Sequence, residues 1–185
     1  MEKIKWVSDP THSELGFRIK HLMISHVSGS FGEYSAVVET DKEDFTTGQV
    51  RATIKSASVN TNNIQRDQHL LNADFFEAEK FPEISFQSSR IEKQDDENFI
   101  LYGNLTMKGI TKPVKLNVEH SGVTKDPWGG QRAGFIVTGK ISRSEFGLTF
   151  NAVLETGGLA LSDEVKIHSE IQLVKQVAVA VTTAA

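Results

Sequence analysis

Cysteine is absent from the 185 residues, which excludes a disulfide framework, a thiolate metal site and a cysteine nucleophile. Massed positive charge is absent as well. Lys and Arg number 20 against 24 Asp and Glu, a formal net charge of -4, and no basic run or basic-aromatic stripe is there to meet nucleic acid. No window approaches the roughly 20 apolar residues of a membrane-spanning helix, and the apolar stretch 177–185 is far too short. The opening residues, among them Lys3, Lys5 and Trp6, contain no apolar segment of the signal-peptide kind. A cytoplasmic location is therefore expected, or a periplasmic one should the natural chain start earlier. The strained nucleophile motif Gly-x-Ser-x-Gly is missing, and the six histidines lack the close spacing of a zinc helix or finger. His21 and His26 would point to opposite faces of a single regular strand. Neither a metal nor a required cofactor is expected.

What the chain does have is alternation of period two. Leu15, Phe17 and Ile19 alternate with Glu14, Arg18 and Lys20, and Val50, Ala52 and Ile54 with Arg51, Thr53 and Lys55. Each such segment has one wet and one dry face. The pattern returns at Ile84 and Phe86, along 99–105, 114–118 and 135–141, and along 165–173, with a further segment near Ala36 and Val38. About eight strands result, separated by turn formers at 44–48, 94–98, 109–113 and 126–130. The class is all-β. Consecutive half-buried strands with short connectors favour antiparallel neighbours, which must stack as a sandwich or close into a barrel to hide their edges. A single barrel domain over 1–175 is expected, followed by a frayed tail at 176–185.

The alternation breaks once. Ser58 and Thr61, then Arg66, Asp67, His69 and Leu70, then Asp74, Phe75 and Phe76 crowd a cation, carboxylates, a histidine and paired aromatics into one irregular polar block. Asn62 followed three residues later by Gln65 resembles a capping box, so one or two helical turns are expected within a helical excursion around 61–80. Pro82 ends it before the next strand.

These residues resemble the YceI-like family of polyisoprenoid-binding proteins over nearly the whole chain. Trp6, Asp9, His12 and Ser13 match the family's opening, and His21, Gly29 and Phe31 continue it. Ser58, Thr61, Arg66, Asp67, His69, Leu70, Phe75 and Phe76 match its central signature, and 103–114 and 143–148 look like two further blocks. Glu145 and Asn60 each stand where an aspartate is common, and the stretch after Lys175 looks like an extension. The resemblance implies a lipocalin-like antiparallel barrel holding a long amphiphile, such as a polyprenyl diphosphate or an isoprenoid quinone, without catalysis.

Within such a barrel Arg66 and His69 offer a cationic fork and a titratable imidazole for the ligand's head group. Asp67, Ser58 and Thr61 are cast as residues that seat them, because a carboxylate facing a diphosphate would repel it. Phe17, Leu70, Phe75, Phe76, Phe86, Leu105 and Phe135 are candidate linings for the apolar tail, and equally candidates for ordinary core. Other roles stay open. Arg66 and Asp67 could form an ion pair or cap backbone groups, purely to hold the excursion to the barrel. An enzyme acting on an isoprenoid or fatty lipid would use His69 with Asp67 or Asp74 as base and orienter. A protein-interaction barrel with no lipid would use its rim or outer face, and a homodimer is a reasonable expectation. Sequence leaves open whether the barrel is hollow or filled.

Overall fold

A computed structural model describes residues 2–177. Eleven strands form one antiparallel sheet: β1 (Lys3–Ser8), β2 (Glu14–His21), β3 (Ser25–Phe31), β4 (Tyr34–Asp41), β5 (Asp44–Lys55), β6 (Val59–Asn60), β7 (Glu83–Lys93), β8 (Asn98–Met107), β9 (Ile110–Lys125), β10 (Gln131–Ser142) and β11 (Leu161–Lys175). Residues 6–8 pair with 175–173 of β11, and 14–21 with 170–161 of the same strand, so β1 and β2 are one strand interrupted by a turn of 3-10 helix at Pro10–His12. β3 and β4 run opposite them as a second interrupted strand, and β5 and β6 are a third, broken at Ser56–Ser58. Eight strand positions therefore follow in simple up-and-down order, and β11 returns to β1 and β2 to close the barrel.

Closure follows from alternation. β8 reads buried, half-buried or exposed in strict turn, with Phe99, Leu101, Leu105 and Met107 inward, and closing the sheet is what gives every such face a common interior. The helical excursion contains one helix, α1 (Ile64–Leu70), followed by turns through residue 80. Pairing corrects one expectation: His21 ends β2 and His26 lies in β3, separated by a tight turn in which Leu22 and Met23 take positive φ, so they share no strand. Of the expected tail, Gln176 still donates its backbone N–H to Lys5, and 178–185 lie outside the described residues.

The two ends of the barrel differ. At the base, Trp6 is fully buried, donates its indole N–H to Thr40 Oγ1 at 3.3 Å, and packs on Phe45 with ring centroids 5.1 Å apart. Ile4, Val38, Ala133 and Leu173 complete this apolar floor. The opposite end, the mouth, carries the β2–β3 turn, the α1 segment, the β8–β9 turn and the long β10–β11 connection.

Candidate functional site

The block that broke the strand pattern is built around Thr61. Asn60 Oδ1 accepts from the Asn62 N–H at 2.8 Å and turns the chain, with Asn62 at φ +60°, a conformation that asparagine tolerates better than most residues. Helix α1 therefore starts one residue later than the capping-box reading placed it, and Asn63 is the cap, its Oδ1 accepting from the Arg66 N–H at 2.9 Å. Asp67 Oδ1 accepts from Thr61 N (2.9 Å) and Oγ1 (2.5 Å), while Arg66 donates through Nε to Thr61 Oγ1 (2.7 Å) and through Nη2 to the Thr61 carbonyl (2.6 Å). The cation and the carboxylate are thus joined through a buried threonine, in place of a direct ion pair. Ser58 stands apart: its hydroxyl donates to the carbonyls of Lys55 and Glu33 and fastens the bend between β5 and β6.

His69, one turn on, bonds through Nε2 to Asp74 Oδ2 at 2.8 Å and meets the rings of Phe75 and Phe150 edge-on at 5.0 and 4.9 Å. Past the helix, backbone bonds from Phe76 to Leu70 and from Ala78 to Leu71 fold the chain back and drive Phe75 and Phe76 into the barrel. Lys108, in the β8–β9 turn, donates to the Ala73 carbonyl at 2.7 Å and the Gly147 carbonyl at 3.4 Å, tying the α1 segment to the β10–β11 connection.

Arg143 is the site residue whose role sequence reasoning missed, although its block was noticed. It is buried, with Nη1 donating to Leu148 and Phe150 carbonyls (2.7 and 2.9 Å) and Nε to Ser162 (2.9 Å). Burial pulls its guanidinium below the ordinary arginine value. A buried cation without an adjacent acidic residue in the chain carries no pattern that spacing alone could flag.

The interior is hollow, which answers what sequence left open. A cavity of about 350 Å3 lies under α1, within the usual range for ligand sites. A second of about 210 Å3 continues toward the base, and Leu15, Ile54, Leu105 and Ile167 wall both. Phe17, Leu70, Phe75 and Phe76 line the upper compartment, Phe86 and Phe135 the lower, and Leu105 both. The polar groups gather at the top: Thr61, Arg66, His69, Arg143 and His21. Below them Tyr34 is the chief exception, its hydroxyl buried and its pKa pushed up, first of all by that burial. Asp67 and Ser58 line neither compartment. Two glycines make room for the walls, since a Cβ at Gly29 or Gly103 would collide with the ring of Phe17 or Phe86.

A hollow meander barrel with a short helix across its mouth has relatives. The UPF0312 protein of Staphylococcus aureus strain bovine RF122 / ET3-1 is 44% identical over 165 residues, 89% of this chain and 94% of its own. The solved YCEI protein of Campylobacter jejuni is 38% identical, with a TM-score of 0.75, over 91% of this chain and 96% of its own. At 15% identity, a polyisoprenoid binding domain from Saccharophagus degradans shares the fold alone, with a TM-score of 0.60 over 94% of this chain and 98% of its own. The model of the YceI-like domain matches residues 6–173, which run from the Trp6 floor through the α1 block to the end of the closing strand, and the chain belongs to the YceI-like family.

Proposed function

We propose that this protein is a non-catalytic carrier of a long single-chain amphiphile, with an isoprenoid such as a polyprenyl diphosphate or an isoprenoid quinone as the ligand class. The observation that carries this is the polarity of the cavity: two apolar compartments in line, with Arg66, His69 and Arg143 at the α1 end. A tail buried along them gains about 0.8 kcal/mol per methylene, so roughly 5–19 carbons balance association costs of about 4–15 kcal/mol. The head group then lies beside Arg66, which lines the upper compartment and whose Nε and Nη2 are held by Thr61. The YceI-like membership and the solved polyisoprenoid binding domain of the same fold support this ligand class.

The His69–Asp74 pair supports a second reading, in which His69 is a base oriented by the carboxylate. Its other close neighbours are the phenyl rings of Phe75 and Phe150, which suits packing better than proton transfer to a nucleophile.

Native mass spectrometry with organic extraction of gently purified protein tests the carrier. A co-purifying long-chain amphiphile is expected. If none is found and geranylgeranyl diphosphate fails to bind at micromolar concentration, the proposal is wrong. Arg66→Ala and His69→Ala should weaken geranylgeranyl diphosphate more than geranylgeraniol, which has the same tail and a neutral head. Equal losses would assign both residues to structure, and product formation that stops with His69→Ala would favour the enzyme.

A further inference from the structure

Of ten exposed large hydrophobic side chains among the described residues, only Val123, Trp128 and Val177 lie away from the mouth. The rest are on three of its four segments. The β2–β3 turn offers Leu22, Met23 and Ile24 in succession, the last 84% exposed, and the β10–β11 connection offers Val153, 80% exposed, and Leu159. These two segments touch: Leu22 N donates to the Ala160 carbonyl at 2.8 Å, and Gly158 lies against Met23. The third segment, α1, adds Ile64, 77% exposed, and joins the connection where the His69 ring meets Phe150. Leu22 and Met23 hold positive φ, where glycine or asparagine sits at lower cost, so bulky apolar side chains are kept at this tip against backbone preference.

Just below this collar the outer wall is basic, although the chain is acidic overall. Lys140 on β10 stands opposite Lys166 on β11, and Lys166 opposite Arg18 on β2, a row of three cations across three strands. One rung nearer the tip, Lys20 faces His26. Like charges directly opposed destabilise a sheet, and desolvation together with Arg18, Lys166 and Lys20 keeps His26 below its ordinary pKa. Glu164, at 3.8 Å from Lys140, offsets part of this charge, Asp163 is taken by the Ser142 hydroxyl and the Ser144 backbone N–H, and Glu145 and Glu155 are the acidic residues of the connection itself. Lys20 and Arg18 lie two and four residues below the turn, about 7 and 13 Å along the strand, which spans the headgroup layer when an apolar tip sits about 5–10 Å deep.

We infer that the mouth of the barrel docks on an anionic lipid bilayer, with the β2–β3 tip and the β10–β11 connection entering the headgroup boundary and Arg18, Lys20, Lys140 and Lys166 meeting lipid phosphates. Its purpose rests on the carrier reading, since the docked face is the one through which a membrane lipid would enter, but its evidence is separate. Ligand transfer would then happen without the tail crossing water.

Sedimentation with vesicles tests it. Wild-type protein should bind vesicles of equal parts phosphatidylglycerol and phosphatidylcholine, bind phosphatidylcholine alone far less, and release as salt rises. The Arg18→Glu/Lys166→Glu variant should bind the mixed vesicles at least tenfold more weakly, given about fivefold for each charge lost. Ile24→Glu/Val153→Glu should abolish binding, with unchanged circular dichroism, and Trp128→Ala at the opposite end should bind as wild type. No binding to mixed vesicles, or binding that survives Ile24→Glu/Val153→Glu, overturns the proposal. So does light scattering that shows a dimer broken by Ile24→Glu without lipid, which would give the collar to a second copy. Geranylgeranyl diphosphate binding, measured without vesicles, separates the two readings: its failure beside intact vesicle binding removes the carrier and leaves the docking face.

Discussion

Arg66 and Thr61 are bonded twice, Nε to the hydroxyl at 2.7 Å and Nη2 to the carbonyl at 2.6 Å, and that hydroxyl also donates to Asp67. One buried threonine thus aims the guanidinium and holds the carboxylate away from the cavity. Thr61→Val keeps the shape and deletes the relay, leaving polar groups of Arg66 and Asp67 short of a partner. The expected cost is about 1–3 kcal/mol, read as a lower thermal midpoint. Geranylgeranyl diphosphate should weaken while geranylgeraniol holds. A variant that keeps full diphosphate affinity would show that Arg66 does not need this seat.

Leu105 walls both compartments, so it stands where they join. Leu105→Trp fills that junction. If the tail runs through it, geranylgeranyl ligands should lose affinity at least tenfold while geranyl ligands, short enough for the upper compartment alone, change little. Titration of both alcohols against the variant checks this. Equal losses would mean that the tail does not pass Leu105.

Alternation made the barrel legible, because a period of two specifies which face is dry whatever the neighbours are. The interruptions were not legible. The break between β1 and β2 depends on Asp9, whose carboxylate takes the Thr11 hydroxyl, Arg132 and His12, and the arginine lies 123 residues away. The site divided the same way. Thr61, Arg66, Asp67 and His69 could be named because local sequence brings them together, whereas Arg143 lines the same compartment only because β10 ends at the mouth and the β10–β11 connection wraps its guanidinium in carbonyls. The hollow was invisible too, since Phe86 reads as core in any pattern and only its seat against Gly103 shows how the wall is thinned.

That seat yields a prediction. A Cβ at residue 103 collides with the Phe86 ring and lies 2.5 Å from the Gln87 carbonyl, so Gly103→Ala must push the ring toward the lower compartment or part the β7 and β8 backbones. Overpacking of this kind costs about 1–3 kcal/mol, a fall of roughly 2–12 °C in Tm for a chain of this size. Differential scanning calorimetry measures it. An unchanged midpoint would mean the ring moves freely and the lower compartment is softer than its packing implies.

His120 lies between Phe45 and Phe135, stacked on the latter at 4.8 Å and 15°, and its Nε2 is buried without a partner among the described residues. Burial holds its folded pKa below the ordinary histidine value. Between the folded and unfolded values the unfolded chain binds more protons, so stability rises with pH there. The stabilisation is therefore complete above the unfolded pKa of about 6.5, and it drains away as pH falls from there to the folded value. His120→Phe removes the titration and the orphaned nitrogen while keeping the stack. The difference between wild-type and variant melting temperatures should shift in the variant's favour between pH about 7.5 and 5. A difference that stays constant would mean that His120 binds protons equally in the folded and unfolded chains, and one that moves in the wild type's favour would mean that the folded barrel stabilises the charged ring. Losses below pH 4 belong instead to the carboxyls held under their usual range, foremost Asp9 by the Thr11 hydroxyl, Arg132 and His12, with Asp44, Asp95, Asp126 and Asp163 beside it, and they should persist in the His120 variant.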